Sequence, residues 1–239
     1  MTCVFSNKRL IARLMPASPQ TCLRSDSTDT KNRLLNATER LFASHGFAGV
    51  TMRGVADRAH TNIASAHYHY GSKEGMVMAM LKRRIEPINA NRLKYLGDSR
   101  SLAGDRALRP REIFRALILP VCHEIAKSAA TRENLAQLVA RSFTEPARFI
   151  QKMHQRFFRE LSENFVAELQ RTYPKASTKD LYWNLHLVIS SMLGTFAQHR
   201  RLGDFSKGIC DENDVEDLSR RLIDFVSTGF EAGINSSSE

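Results

Sequence analysis

Nothing in this 239-residue chain approaches the roughly twenty consecutive apolar residues of a membrane-spanning helix. Cysteine is scarce: Cys3, Cys22, Cys122 and Cys210 lie far apart, with no C-x-x-C pair and no histidine at zinc spacing. That pattern excludes a disulfide framework or a zinc knuckle and suits free thiols in a reducing cytoplasm. The signatures of the common catalytic classes are also missing. There is no G-x-S-x-G, no H-E-x-x-H, no P-loop and no dinucleotide fingerprint. His123-Glu124 and His186 fall on helical patterns, where a satisfied, partly buried histidine is the simpler explanation. His199 before Arg200-Arg201 suits a helix C-terminus. No catalytic residue, metal ligand or cofactor is therefore expected. Strand-like alternation and internal repeats are absent too, and the expected fold class is all-α.

Positive charge is abundant and unevenly placed. The chain carries 35 basic against 25 acidic side chains, a formal net charge of +10. Residues 1–100 hold 16 of the bases and seven of the acids, so nearly all of the excess lies there. Such a balance favours a polyanionic partner and places it at the N-terminal end.

Within that end, residues 29–75 contain three short amphipathic patterns in series. Leu34, Ala37, Thr38, Leu41 and Phe42 form one stripe at helical spacing, ended by Gly46, with Phe47 free to fold back onto the same core. Thr51 is a good N-cap for a second helix whose inner face is Met52, Val55, Ala56 and Ala59. His60-Thr61 is long enough only for a tight turn, and Asn62 can cap a third helix. Two short helices joined by such a turn form a helix-turn-helix. On the third, Ile63, Ala66 and Tyr70 cluster inward, leaving Ala64, Ser65, His67, Tyr68 and His69 on or beside the outer face. The run His67-Tyr68-His69-Tyr70 also fits an ordinary half-buried aromatic patch. Small Ala64 and Ser65 beside it, and Lys73 beyond it, favour a helix that enters a nucleic-acid groove.

The stretch resembles the DNA-binding domain of the TetR family of bacterial transcriptional repressors. The matching elements are A-x-x-x-L-F-x-x-x-G-F from Ala37 to Phe47, T-M-R-x-V-A-x-x-A from Thr51 to Ala59, and Y-x-Y-G-S-K-E from Tyr68 to Glu74. One departure stands in the turn. The family usually has glycine at the position of His60, where a positive φ is convenient, and strain is expected there. The expected DNA-binding set is Thr51, Arg53, Asn62, Ile63, Ala64, Ser65, His67, Tyr68, His69 and Lys73. Ser65 and His67 would bond base edges, and the methyl groups of Ile63 and Ala64 would meet thymine methyls. Thr51, Arg53, Tyr68 and Lys73 would hold phosphates. Within the family, the run from Asn62 to Gly75 followed by R-R-I-E-P-I-N-A-N-R-L is most similar to a branch with N-x-A-A-x-x-Y-H-F-G-S-K-E. Some members of that branch answer to fatty-acid-like ligands.

Residues 1–28 are basic and end in a Ser/Thr-rich stretch. They read either as a disordered arm or as an over-extended start, with Met15 or a later site as the true beginning. The reader follows at 29–75, a helical effector-binding and dimerisation domain at 76–233, and a disordered tail at 234–239. In the second domain a fourth helix runs from Lys73 to about Leu96 and is interrupted by Pro87. A loop spans Gly97 to Arg109, and helices begin at Pro110, Thr131 and Pro146. The last of these is a long one carrying Phe149, Met153, Phe157, Leu161, Phe165 and Leu169. Ser177 with Asp180 forms a capping box before an eighth helix, and a ninth follows the acidic run Asp211 to Asp217. About nine helices are expected in all.

Leu181, Leu185, Val188 and Met192 on the eighth helix, with Leu222 and Phe225 on the ninth, are the expected dimer contacts, unless those stripes face only their own bundle. Phe114, Leu117, Phe143, Phe149, Met153, Phe157, Trp183, His186 and Met192 exceed what a compact bundle needs, so some could line a cavity. None is assigned to an effector. The resemblance implies a cytoplasmic, homodimeric repressor that leaves an inverted-repeat operator on double-stranded DNA when a fatty-acid-like or acyl effector binds. The alternative is a DNA-binding protein governed by a protein partner, or by no ligand.

Overall fold

In the computed structural model, the described residues are 20–142 and 145–236, with side chains from residue 27 onward except at positions 142, 147 and 236. The basic arm up to residue 19, the end of the tail from residue 237 and the expected cavity residue Phe143 lie outside them. Among the described residues there are eleven helices and no strand. Helix α1 spans Gln20–Gly49, so the expected boundary at residue 29 falls inside it. It is broken at Gly46 (φ 68°, ψ −170°), where a side chain would also meet the Glu145 carboxylate. Leu34, Ala37, Thr38 and Phe42 face inward from it.

Helices α2 (Met52–Arg58) and α3 (Ile63–Tyr70) follow with the expected caps. The Gly54 amide donates to Thr51 Oγ1 at 3.0 Å and the Ser65 amide to Asn62 Oδ1 at 2.7 Å. Each cap satisfies an N–H that the helix itself leaves unpaired. Between them His60 takes φ 51°, the left-handed conformation expected of the turn. Its carbonyl and that of Ala59 accept from the Arg33 guanidinium at 3.4 and 3.3 Å, which ties the turn to α1.

Helix α4 (Lys73–Ala103) starts at a Ser72 cap and runs through Pro87 as a single element. It passes the loop expected from Gly97. A Lys94–Asp98 pair at 2.7 Å and a Ser101 hydroxyl on the Gly97 carbonyl support the extra turns, which end only where Gly104 reaches φ 60°. A glycine with helical neighbours and side-chain support costs a helix about 1 kcal/mol, too little to stop it. The remaining helices are α5 (Pro110–Ala126), α6 (Ala129–Ser142), α7 (Ala147–Phe157), α8 (Arg159–Thr172), α9 (Thr178–Ala197), α10 (Arg201–Phe205) and α11 (Val215–Ser236).

The long helix expected from Pro146 is thus two. Phe158 adopts φ −122°, ψ −12°, and Asn89 of α4 donates to the Phe157 carbonyl at 2.7 Å. The bend serves packing, because the side chains on its two sides enter different cores. One core gathers Leu34, Phe42, Val55, Ala66, Met76 and Met80 with Phe149, Met153 and Phe157 of α7. The other gathers α5, α8, α9, α11 and the C-terminal half of α4. The reader therefore extends beyond residue 75: its core is completed by the first half of α4 and by α7.

An L residue other than glycine in the left-handed region costs roughly 1–2 kcal/mol, partly offset for histidine and by the looser unfolded chain of glycine. His60→Gly should therefore raise stability, by about 0.5–1 kcal/mol, with the midpoint of urea unfolding as the measurement.

Candidate nucleic-acid interface and effector cavity

The surface of α3 is set by one buried residue. Ala66 is fully enclosed against the reader core, and Tyr70 packs beside it with its hydroxyl donating to the Lys31 carbonyl at 3.2 Å. The opposite face is therefore presented outward. Ile63 and His67, and Ala64 and Tyr68, are four residues apart and share that face, with Tyr68 85% exposed. Ile63, expected to point inward, is 45% exposed, because Ala66 and Tyr70 already fill the space beneath the helix. Ser65 and His69 are only partly exposed, at the flanks, and burial together with the Lys31 charge lowers the His69 pKa.

His67 is held in one tautomer. Its Nδ1 lies 3.1 Å from the Gly71 carbonyl, which can only accept, so Nδ1 carries the proton. Nε2 of the neutral ring then points outward as an acceptor, the partner needed by an adenine or cytosine amino group. Thr51, Arg53 and Asn62 are exposed along the same side. Lys73 is more constrained than a free phosphate contact would be. Its ammonium donates to the Ala48 carbonyl at 3.1 Å and sits 4.5 Å from the centre of the Phe47 ring.

A cavity of about 190 Å³ lies where the two cores meet. Leu81, Ile85, Ile88, Asn89 and Arg92 of α4 form one wall, opposite Met153, His154 and Phe158 and the α9 residues Leu185, Ile189 and Met192. Leu81 and Met153 belong at the same time to the reader core. Of the residues in apparent surplus, Leu117, Met153 and Met192 line this space. Phe114 packs edge-on to Phe230, Phe149 stacks near Phe47 with ring centres 4.7 Å apart, and Trp183 and His186 face outward. Burial, and secondarily His186, lowers the His154 pKa and so favours its neutral ring.

The dimer contacts expected on α9 and α11 are corrected by burial. Leu181, Leu185, Val188, Met192 and Leu222 are all enclosed in the protomer's own core, and only Phe225, 71% exposed, faces out. The outward apolar face of α9 is instead Tyr182, Trp183 and Leu187. Helix α9 is apolar on nearly every side, so periodicity alone did not distinguish the inner stripe from the outer one.

Two family models match this architecture. One, described as "Bacterial regulatory proteins, tetR family", covers residues 34–80, and the other, "Tetracyclin repressor-like, C-terminal domain", covers residues 115–229. The chain belongs to the TetR family of DNA-binding transcriptional regulators. Its curated relatives include the HTH-type transcriptional regulator BetI of Burkholderia mallei, 24% identical over 67% of this chain and 77% of that protein. Another is the HTH-type transcriptional repressor AcnR of Corynebacterium glutamicum, 25% identical over 67% of this chain and 91% of that protein. Among solved structures, NalD of Pseudomonas aeruginosa superposes with a TM-score of 0.57 at 16% identity, over 85% of this chain and 96% of its own. A complex of SmeT with triclosan gives 0.57 at 17% identity, over 84% and 90%. These likenesses establish the shared fold.

Polar contacts in three places tie α1 and α4 to the elements packed against them. Glu39 of α1, itself buried, receives Arg84 of α4 in a two-toothed bond (2.6 and 3.0 Å) and Arg83 at 2.9 Å. Glu145 accepts from the Phe47 amide at 2.8 Å, and Arg141 donates to the carbonyls of Ala43 and Ser44. Lys152 of α7 pairs with Glu74 of α4 at 2.7 Å. Glu39→Gln should cost about 2–3 kcal/mol in thermal or urea unfolding. That is below the figure for a fully buried pair, because both guanidinium groups keep some access to water.

Proposed function

We propose that this protein is a homodimeric repressor that leaves an inverted-repeat operator when a small apolar effector enters the cavity. One observation carries the reading: Leu81 and Met153 are walls of the cavity and members of the reader core at once. A ligand that fits the cavity better in one arrangement of α4 and α7 shifts the reader with them, and its differential affinity sets the response. The names of AcnR and NalD, both repressors, support repression over activation.

In this reading Ile63, Ala64, His67 and Tyr68 enter the major groove, with Ser65 and His69 at the flanks. Thr51, Arg53 and Asn62 lie along the phosphates, and Lys73 positions the Phe47 corner while sharing its remaining donors with a phosphate. Trp183 and Leu187 of α9 with Phe225 of α11 cover the same face of a second copy, as two-fold palindrome readers require. No helix among the described residues is long and apolar enough to cross a membrane, in keeping with action in the cytoplasm.

The test is titration of the purified protein with an inverted repeat taken from upstream of its gene or a neighbour. His67→Ala should lose about 1–3 kcal/mol of discrimination at one half-site position while affinity for mixed DNA changes little. Arg53→Ala should weaken all sequences alike and lower the salt slope by about one. Equal loss on all sequences for His67→Ala would reject the orientation given to α3. Leu187→Glu should yield monomers in sedimentation and abolish operator binding, leaving the fold intact by circular dichroism. If no small molecule changes operator affinity, control by a protein partner replaces the effector.

A further inference from the structure

Arg92 stands out among the groups that line the cavity. It is 5% exposed in a space walled mainly by leucine, isoleucine, valine, methionine and phenylalanine, with Arg84, Asn89, His154 and Ser162 as the other polar residues. Its Nε donates to the Leu117 carbonyl at 2.8 Å, one terminal nitrogen to Asn89 Oδ1 at 3.1 Å, and the other to Met192 Sδ at 3.7 Å. All three partners are neutral. Among the described residues no carboxylate lies within ion-pair distance of it, and no aspartate or glutamate lines the cavity. The nearby Cys122 is no counter-ion, since burial pushes its thiol up to about 12. Burial lowers the Arg92 pKa to about 10, which leaves the guanidinium charged at neutral pH. The other arginine at the cavity, Arg84, is already engaged by Glu39. Arg92 has five N–H groups and three bonds, one of them to a weakly accepting sulfur.

We infer that the cavity takes an amphiphile with a single negative charge, its carboxylate on Arg92 beside Asn89 and its apolar body among Leu185, Ile189 and Met192. The inference rests on the reading of this cavity as the effector site and narrows it to a ligand class. Arg92 is the cation at the cavity that has no carboxylate beside it, and it matches a single negative charge. The planar guanidinium fork fits the two oxygens of a carboxylate. Asn89 links this head-group position to the bend between α7 and α8, since its amide also holds the Phe157 carbonyl. A carboxylate competing for the Arg92 donors therefore acts on the joint by which α7 reaches the reader core.

The test uses three probes of equal chain length below their micellar concentrations, decanoate, 1-decanol and decylamine, titrated calorimetrically into the full chain. Decanoate should bind at least about tenfold more tightly than decanol, and decylamine least well. In Arg92→Met, decanoate should weaken by about tenfold or more while decanol stays within about threefold. Equal affinity for decanoate and decanol in the unaltered protein would overturn the inference without any variant. So would a decanoate preference that survives in Arg92→Met. Should that variant not fold, Arg92→Lys keeps the charge but loses the fork, and must retain only part of the preference. If none of the three probes binds, the effector reading of the cavity itself fails, which is a different result from a cavity that binds neutral chains equally well.

Discussion

Helix α4 belongs to both hydrophobic cores, and everything else in the molecule is arranged around that sharing. Its first half buries Met76, Val77, Met80 and Leu81 under the reader, and its second half carries Ile88, Arg92 and Leu96 into the bundle. Packed interiors do not deform smoothly, so a helix clamped at both ends transmits displacement instead of absorbing it. The cavity lies alongside the middle of this helix, and the Glu39 carboxylate grips Arg83 and Arg84 at the same level. The reader core and the cavity are thereby joined along one helix.

The reader is organised by small residues as much as by polar ones. Ala66 lets α3 lie close on its own core, and Ala64 leaves the outer face open to close approach. The Gly71 carbonyl then chooses the tautomer of His67. The placement of the His67 ring is therefore a property of the backbone turn after α3 as well.

Much of this was legible before any coordinates. Caps at Thr51, Asn62, Ser72 and Ser177, the breaker Gly46 and the odd residue His60 are local signals, and the structure places each of them as expected. Other features depended on contacts distant in sequence. Nothing near Phe158 marks a break, because the break exists to send Phe157 into one core and Leu161 into the other. Gly97 looked like a terminator, but tertiary packing of Leu96 and the Lys94–Asp98 pair outweigh a cost of about 1 kcal/mol. On α9 both the buried and the exposed stripe are apolar, so periodicity did not separate them. Arg92 read as one more base in a basic region, and only burial distinguishes it from its neighbours.

The third wall of the reader core arrives late in the chain. Phe149, Met153 and Phe157 lie more than a hundred residues after Leu34, and the Phe47 amide waits for Glu145. Burial of three such side chains contributes about 5–8 kcal/mol, comparable to the whole stability of a small domain. During synthesis the first hundred residues leave the ribosome well before that wall exists. A chain cut short in α5 or α6 would carry the complete helix-turn-helix in sequence but an open core beneath it. The order of the chain thus makes the helix-turn-helix depend for its packing on residues synthesised long after it.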